Sequence, residues 1–130
     1  VEVLVEMAKD DHEIDRHIDF GFVETITSQH PFFVLDARLG WWVLRDVPAY
    51  HVYFSCSDME RFDRLAKREG ITATEAGDKA LVRESLDQAR FRALYRIEFP
   101  PPEHQFSLCL NTAGKRPDFL AEEIVHELES

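Results

Sequence analysis

The sequence predicts an α+β fold with a single mixed, mainly antiparallel sheet and two main helices on one face of it. Three observations support this fold class. Hydrophobic residues alternate with polar ones in several short stretches, which is typical of strands. Two other stretches carry hydrophobic residues at helical spacing, and the two kinds of stretch follow one another in mixed order. The strand-helix-strand order over 50–83 also suits a ferredoxin-like variant.

Period-two alternation and β-branched or aromatic content mark the predicted strands. The second and third strands form a predicted hairpin with Leu39 and Gly40 in its turn. Proline has no N–H to give to a ladder, so the run at 100–102 ends the sixth strand. In chain order, the predicted strands cover 17–27, 32–37, 41–46, 50–56, 79–83, 91–99 and 105–111.

The clearest predicted helix covers 57–69. Ser57 and Glu60 form a capping box, in which each side chain satisfies a backbone N–H at the start of the helix. Lys67 suits the negative carboxyl end of the helix dipole, and Gly70 suits the left-handed residue that ends a helix.

The last predicted helix covers 117–129, where Pro117 suits the first helical position. One face of this helix is hydrophobic and is expected to be buried; it carries Leu120, Ala121, Ile124, Val125 and Leu128. A brief helix over 85–90 is also predicted, because Ser85 and Gln88 resemble a cap.

The chain of 130 residues is predicted to form one α+β domain, since its length and its 45% hydrophobic content suit one ordinary core. Residues 1–16 are expected to be an extended or poorly ordered acidic segment. No hydrophobic run approaches the roughly 20 residues that cross a bilayer. Two cysteines are too few for a disulfide framework. These features predict a reduced, cytoplasmic protein without a membrane segment.

The net charge of −10 lies entirely in the two ends of the chain. Residues 1–20 hold seven acids and two bases, residues 117–130 hold five acids and no base, and residues 21–116 hold thirteen of each. This distribution argues against nucleic-acid binding, which requires a basic face. It is compatible with a basic protein partner.

The leading functional hypothesis is a small, non-enzymatic acidic protein that binds and regulates a basic protein, as inhibitors and toxin-neutralising immunity proteins do. Trp41 and Trp42 are adjacent, so on a strand one of them would face away from the core and could anchor an interface. Glu122, Glu123 and Glu127 would attract the basic partner. An alternative is a structural homodimer that pairs through Trp41 or Trp42.

The first alternative, ahead of the homodimer, is a small enzyme with a cleft that contains His51, Cys56 and Asp58. A thiol just before a helix can have a lowered pKa. However, the following residues, "SDME", bring two carboxylates that repel an anion, and the capping box already occupies the helix end. The pattern therefore favours Cys56 as a small buried hydrophobic residue.

The segment "DDHEIDRHID" contains residue types that bind metals. His12 and His17 are five residues apart, which suits neither a helix face nor a strand face. Only His17 and Asp19 would share a strand face. The spacing therefore favours a solvated acidic segment, and neither a metal nor another cofactor is predicted.

Overall fold

The computed structural model describes residues 32–130 together with Val23 and Ser28, and every structural statement below concerns these residues. Their elements, in chain order, are α1 (Gly40–Val43), β1 (Val52–Ser55), α2 (Asp58–Glu69), α3 (Ala73–Tyr95), a 3-10 helix (Glu103–Gln105), β2 (Leu108–Asn111) and α4 (Pro117–Leu128). Within this part of the chain, no helix is both long and apolar enough to span a membrane.

The fold is mixed α+β, but its sheet differs from the predicted one. Strands β1 and β2 pair in parallel, from Val52 opposite Leu108 to Ser55 opposite Asn111, and they make up the two-stranded sheet of the described residues. The connection between them runs through α2 and α3, which return the chain to the end of the sheet where β1 began. The prediction of a mainly antiparallel sheet is therefore wrong, and the ferredoxin-like variant loses its basis.

The predicted hairpin over 32–37 and 41–46 is also wrong. Residues 33–37 belong to no strand, and Gly40–Val43 form the short helix α1. Leu39 and Val43 are four residues apart, so one turn of helix places both on the same side, where they pack against Phe91 of α3. Burial of this pair outweighs the strand preference of the aromatic and β-branched residues around them.

Helix α2 confirms the prediction made for 57–69. Ser57 is the N-cap, and its Oγ accepts the Glu60 N–H at 3.2 Å. Gly70 ends the helix in the left-handed region at φ 68°. Lys67 pairs with Asp63 one turn earlier at 2.9 Å.

Helix α3 replaces the strand predicted over 79–83 and the first five residues of the strand predicted over 91–99, and it includes the brief helix predicted over 85–90. Its 23 residues begin after Thr72, whose Oγ1 accepts the Glu75 N–H at 3.1 Å. Gly77, a residue type that is common in turns, is buried inside the helix. A Cβ added there would lie 3.2 Å from Cδ2 of Phe62, so the glycine lets α3 pack closely on α2.

The carboxyl-terminal elements follow the predictions more closely. The strand predicted over 105–111 is shorter, at Leu108–Asn111, because the 3-10 helix occupies its first residue. Helix α4 confirms the helix predicted over 117–129 and has Pro117 in its first position. The strand predicted over 17–27 lies outside the described residues except for Val23, which is helical.

Candidate functional site

Arg38, in the turn before α1, pairs with Asp87 of α3, and Arg83 and Arg90 of the same helix lie close enough for their charges to act on Arg38. These residues are called the arginine cluster: Arg38, Arg83, Asp87 and Arg90. On α3, Arg83, Asp87 and Arg90 are spaced by four and three residues, which places them on one face of the helix. Arg38 precedes α1 and donates from Nη1 to Oδ2 of Asp87. The contact joins residues 49 positions apart in the sequence.

The arginine cluster is a positive site on a strongly acidic chain. Burial lowers the pKa of Arg38, the Asp87 carboxylate opposes this, and the positive charges of Arg83 and Arg90 lower it further. Three positive side chains and one negative one leave a formal charge of +2. The Arg38 side chain is 41% exposed, whereas that of Asp87 is 15% exposed. The Arg38 guanidinium is therefore partly open to solvent, and the carboxylate that holds it lies deeper.

The hydrophobic core fixes the position of this cluster. Leu39, directly after Arg38, packs with Phe91, directly after Arg90. Phe91 is 1% exposed, and the Arg90 guanidinium lies 4.5 Å from the centre of its ring. The contact that attaches α1 to α3 is thus made by the direct sequence neighbours of Arg38 and Arg90.

A cavity of about 410 Å³ lies in a different part of the molecule; this tryptophan cavity is lined by Trp41, Trp42, Arg45, His51, Ile97, Glu98, Pro102 and Gln105. The two indole rings meet edge to face, with centroids 5.9 Å apart. Arg45 lies over the Trp42 ring at 3.8 Å and donates to the Trp42 carbonyl oxygen at 2.8 Å. The lining is therefore mixed, with two indole rings and four polar or charged side chains.

His51 reaches this cavity from the start of β1. Its backbone N–H donates to Ser107 Oγ at 3.0 Å, and its carbonyl oxygen accepts the Ser107 and Leu108 N–H groups. Burial lowers the pKa of the His51 side chain. The imidazole is consequently neutral at pH 7, because its ordinary pKa is already about 6.5.

The pKa of His51 predicts a pH dependence of stability. Because the pKa is lower in the folded state, the unfolded chain binds more protons as pH falls below about 6.5. The free energy of unfolding should therefore decrease between pH 6.5 and the lowered pKa. Urea unfolding at several pH values should show that His51→Gln reduces this decrease. The control His126→Gln, on the exposed side of α4, should leave it unchanged, and an equal effect of both variants would contradict the assignment.

Two further arginines on α2 are engaged in structural contacts. Arg61 donates to Glu84 of α3 and to Asp58 at 3.0 Å, and the hydrogen bond with Glu84 raises its pKa. Arg64 donates to the Thr112 carbonyl oxygen at 2.9 Å and to its Oγ1 at 3.0 Å. These contacts attach α2 to α3 and to the end of β2, so the arginine cluster is the better candidate for an anion site.

Comparison with known proteins identifies the family. The model of the cytidylate kinase-like family matches residues 3–114. The chain belongs to this family. The match covers the arginine cluster, the tryptophan cavity and both strands.

Several archaeal relatives of the cytidylate kinase-like family carry the name cytidylate kinase. The protein from Ignicoccus hospitalis is 37% identical over 121 residues, which are 93% of this chain and 69% of that protein. The one from Sulfurisphaera tokodaii is 32% identical over 85% of this chain and 61% of its own length. The one from Thermococcus kodakarensis is 34% identical over 82% of this chain and 53% of its own length. The chain thus spans between about half and about two thirds of these relatives. No solved structure matches it.

Membership in the cytidylate kinase-like family overturns the prediction of a non-enzymatic regulatory protein, inhibitor or immunity protein. The family and its relatives point to an enzyme, which agrees better with the alternative of a small enzyme. The wrong functional prediction came from counting charged residues along the sequence, because such a count does not show which of them meet in the fold. The acids are concentrated at the ends, whereas the positive cluster forms only when residue 38 meets α3.

The residues proposed for that alternative are not brought together. His51 lines the tryptophan cavity, but Cys56 and Asp58 do not. Cys56 is half-buried, and Asp58 pairs with Arg61. Cys109 is exposed and its Sγ–H donates to the Glu103 carbonyl oxygen at 3.6 Å.

The residues proposed for partner binding are dispersed. Trp41 and Trp42 are both half-buried in α1, and neither projects from a hairpin. Glu122 and Glu127 are exposed on α4, whereas Glu123 pairs with Lys115 at 3.3 Å. His17 and Asp19 lie outside the described residues. Within residues 32–130, Val23 and Ser28, no group of three or more His, Cys, Asp or Glu residues could hold a metal ion.

Sequence reasoning missed the arginine cluster. Its signal was the spacing Arg-x3-Asp-x2-Arg at 83–90, which places all three side chains on one face only if the segment is a helix. Thr72 and Glu75 form a capping pattern that indicates where that helix begins. The alternation of hydrophobic and polar residues after Phe91 resembles a strand, so the sequence does not indicate where the helix ends.

Proposed function

We propose that this chain carries the nucleotide-phosphate-binding part of a cytidylate kinase, and that the arginine cluster binds the phosphate group of cytidylate. One observation supports this most strongly: Arg38 is paired with Asp87 of α3, and the positive charges of Arg83 and Arg90 on that helix act on the same guanidinium, in a chain whose net charge is −10. The relatives named cytidylate kinase supply the substrate class.

The chemistry of the arginine cluster suits a phosphate monoester. A guanidinium presents planar N–H donors that match two phosphate oxygens at once. Asp87 already orients Arg38, so the cation need not be immobilised when the ligand binds. Because Arg83 and Arg90 lower the pKa of Arg38, the three positive charges repel one another, and an incoming dianion relieves that repulsion.

Such a site would serve phosphoryl transfer through position and charge. In this reaction an oxygen of the cytidylate phosphate bonds to the terminal phosphorus of a nucleoside triphosphate, while the bond from that phosphorus to the bridging oxygen breaks and the nucleoside diphosphate leaves. Two highly charged groups must approach each other. Guanidinium groups around the acceptor phosphate reduce their repulsion and fix the attacking oxygen.

The sequence contains no recognisable triphosphate-binding loop. The one Gly-Lys pair of the sequence, in "AGKR", lacks the Gly-x4-Gly-Lys-Ser/Thr spacing of such a loop. Lys115 of that pair is held by Glu123. The role that we propose is therefore confined to the acceptor nucleotide.

The test is a titration of the chain with cytidine monophosphate (CMP), followed by the ³¹P resonance of the nucleotide. Arg83→Gln should weaken binding about tenfold, because it removes one charged contact to the phosphate. Arg92→Gln is the matched control, since Arg92 lies on the same helix, is exposed and does not face Arg38. Equal affinities of the two variants would contradict the proposal.

The predicted single domain, cytoplasmic location and protein partners remain predictions. A single domain and a cytoplasmic location are consistent with an enzyme that acts on free nucleotides. Association with a basic protein or with a second copy of the chain requires its own measurement.

A further inference from the structure

We propose that two exposed apolar stripes form the interface of a dimer, in which α4 of each copy packs on α3 of the other copy. This dimer is independent of nucleotide binding at the arginine cluster. The first stripe, the α3 stripe, consists of Val82, Leu86, Ala89 and Ala93. The second, the α4 stripe, consists of Ala121, Val125 and Leu128.

The α3 stripe lies on the side of its helix that faces away from the core. Its residues follow one another at intervals of four, three and four, so they form a continuous line along the helix. Gly77 and Phe91, which pack against α2 and α1, lie on the opposite side. Val82 and Leu86 are both exposed. Because a helix normally presents polar residues on its solvent side, an apolar line there indicates a contact surface.

The α4 stripe is the part of that helix's hydrophobic face that the described residues leave uncovered. Leu120 is buried and Ile124 is half-buried, whereas Val125 is 50% exposed and Leu128 is 56% exposed. Ala121, Val125 and Leu128 are spaced by four and three residues, so they lie side by side next to the buried residues. The core of the chain therefore uses only part of this hydrophobic face.

The charges beside the α4 stripe restrict what can cover it. Residues 117–130 hold five acids and no base. Glu122 lies three residues before Val125 and Glu129 lies four residues after it, so both border the stripe. Two α4 helices packed on each other would bring these acids together, and like charges across an interface are unfavourable. The α4 stripe therefore requires a basic surface and does not pair with itself.

The carboxyl-terminal half of the α3 stripe offers such a basic surface. Residues 88–96 hold three arginines and no acid. Arg83 lies three residues before Leu86, and Arg92 lies three residues after Ala89, so an arginine borders the stripe on each side. The α3 stripe is thus apolar along its middle and positive along its borders, and it complements the α4 stripe.

Two acids of α3 do not cancel this positive charge. Glu84 and Asp87 lie on the opposite side of the helix, where they pair with Arg61 and Arg38. An acidic helix with an apolar stripe therefore fits the α3 stripe, and α4 of a second copy is such a helix.

Symmetry favours a closed dimer. Each copy carries both stripes, so a twofold axis pairs the α3 stripe of each copy with the α4 stripe of the other. A contact that used one stripe from each copy would leave the other two stripes exposed and would extend into an open chain of copies. The symmetric arrangement covers all four stripes.

Sedimentation velocity tests this dimer over about a hundredfold range of protein concentration, because the dimer fraction depends on concentration. The native chain should pass from monomer to dimer within this range. Val82→Glu places a carboxylate opposite the acidic α4 and should weaken dimerisation about a hundredfold, since the symmetric dimer contains this contact twice. Val34→Glu is the matched control, because Val34 is 98% exposed and lies outside both stripes, and it should dimerise like the native chain.

A charge reversal on α4 tests the choice of occupant. Glu122→Lys should weaken dimerisation about tenfold, because the new positive charge faces the arginines of the α3 stripe. Glu103→Lys, at an exposed glutamate outside both stripes, should leave dimerisation unchanged. Circular dichroism verifies that each variant is folded.

Four outcomes would overturn the proposal. A native chain that stays monomeric at every concentration would leave the stripes to a different protein. Assemblies that grow beyond two copies would contradict the closed dimer. Equal dimerisation of Val82→Glu and Val34→Glu would remove the α3 stripe from the interface, and equal dimerisation of Glu122→Lys and Glu103→Lys would remove α4.

Discussion

Replacing Arg38 with glutamine is expected to weaken CMP binding by a factor of about 10 to 150, the largest effect of any substitution in the arginine cluster. Removing a charged hydrogen-bond partner of a phosphate costs about 1.5–3 kcal/mol. Arg38 is also the guanidinium that Asp87 holds. Without it, the Asp87 carboxylate would lack this partner and would repel the phosphate.

A second substitution of Arg38 separates the effect of its positive charge from that of its planar donor geometry. Arg38→Lys keeps the positive charge but loses the planar pair of donors, so its affinity for CMP should lie between those of the native chain and Arg38→Gln. Calorimetric titration measures all three, and unfolding by urea verifies that each variant is folded. If Arg38→Gln binds CMP as tightly as the control Arg92→Gln does, the phosphate lies elsewhere.

Replacing Phe91 with alanine is expected to lower the free energy of unfolding by about 3–5 kcal/mol. Phe91 is 1% exposed and packs against Leu39 and Val43, so its loss opens a cavity between α1 and α3. Urea unfolding followed by circular dichroism measures the effect. The loss should also weaken CMP binding, because the contact between Leu39 and Phe91 holds Arg38 beside α3.

Phe32→Ala is the matched control for that variant. Phe32 is 94% exposed, so its truncation should change the free energy of unfolding by no more than about 0.5 kcal/mol. A Phe91→Ala protein as stable as Phe32→Ala would show that α1 is not attached to α3 through this core.

Local signals explain which elements could be predicted. Helix α2 has the N-cap Ser57 at its start and Gly70 at its end, and α4 begins at a proline, so both follow from neighbouring residues alone. Helix α3 could not be bounded in this way. Gly77 resembles a turn residue until Phe62 is seen packed against it, and the alternation after Phe91 resembles a strand. In both places a tertiary contact decides the structure.

The candidate site was beyond sequence reasoning for a related reason. Arg38 and Asp87 are 49 residues apart, and no sequence pattern near Arg38 indicates that Asp87 is its partner. On the predicted strand, the adjacent side chains of Trp41 and Trp42 would point to opposite faces. One turn of helix instead places both rings against the same cavity.

The central claim, that three guanidinium groups surround the phosphate of bound CMP, is tested most directly by the pKa of that phosphate. A ³¹P titration between pH 4 and 8 compares free CMP, whose second phosphate pKa is about 6, with CMP bound to the chain. The arginine cluster should lower this pKa on binding, and Arg83→Gln should reduce the shift. A phosphate pKa that is the same for free and bound CMP would contradict the account.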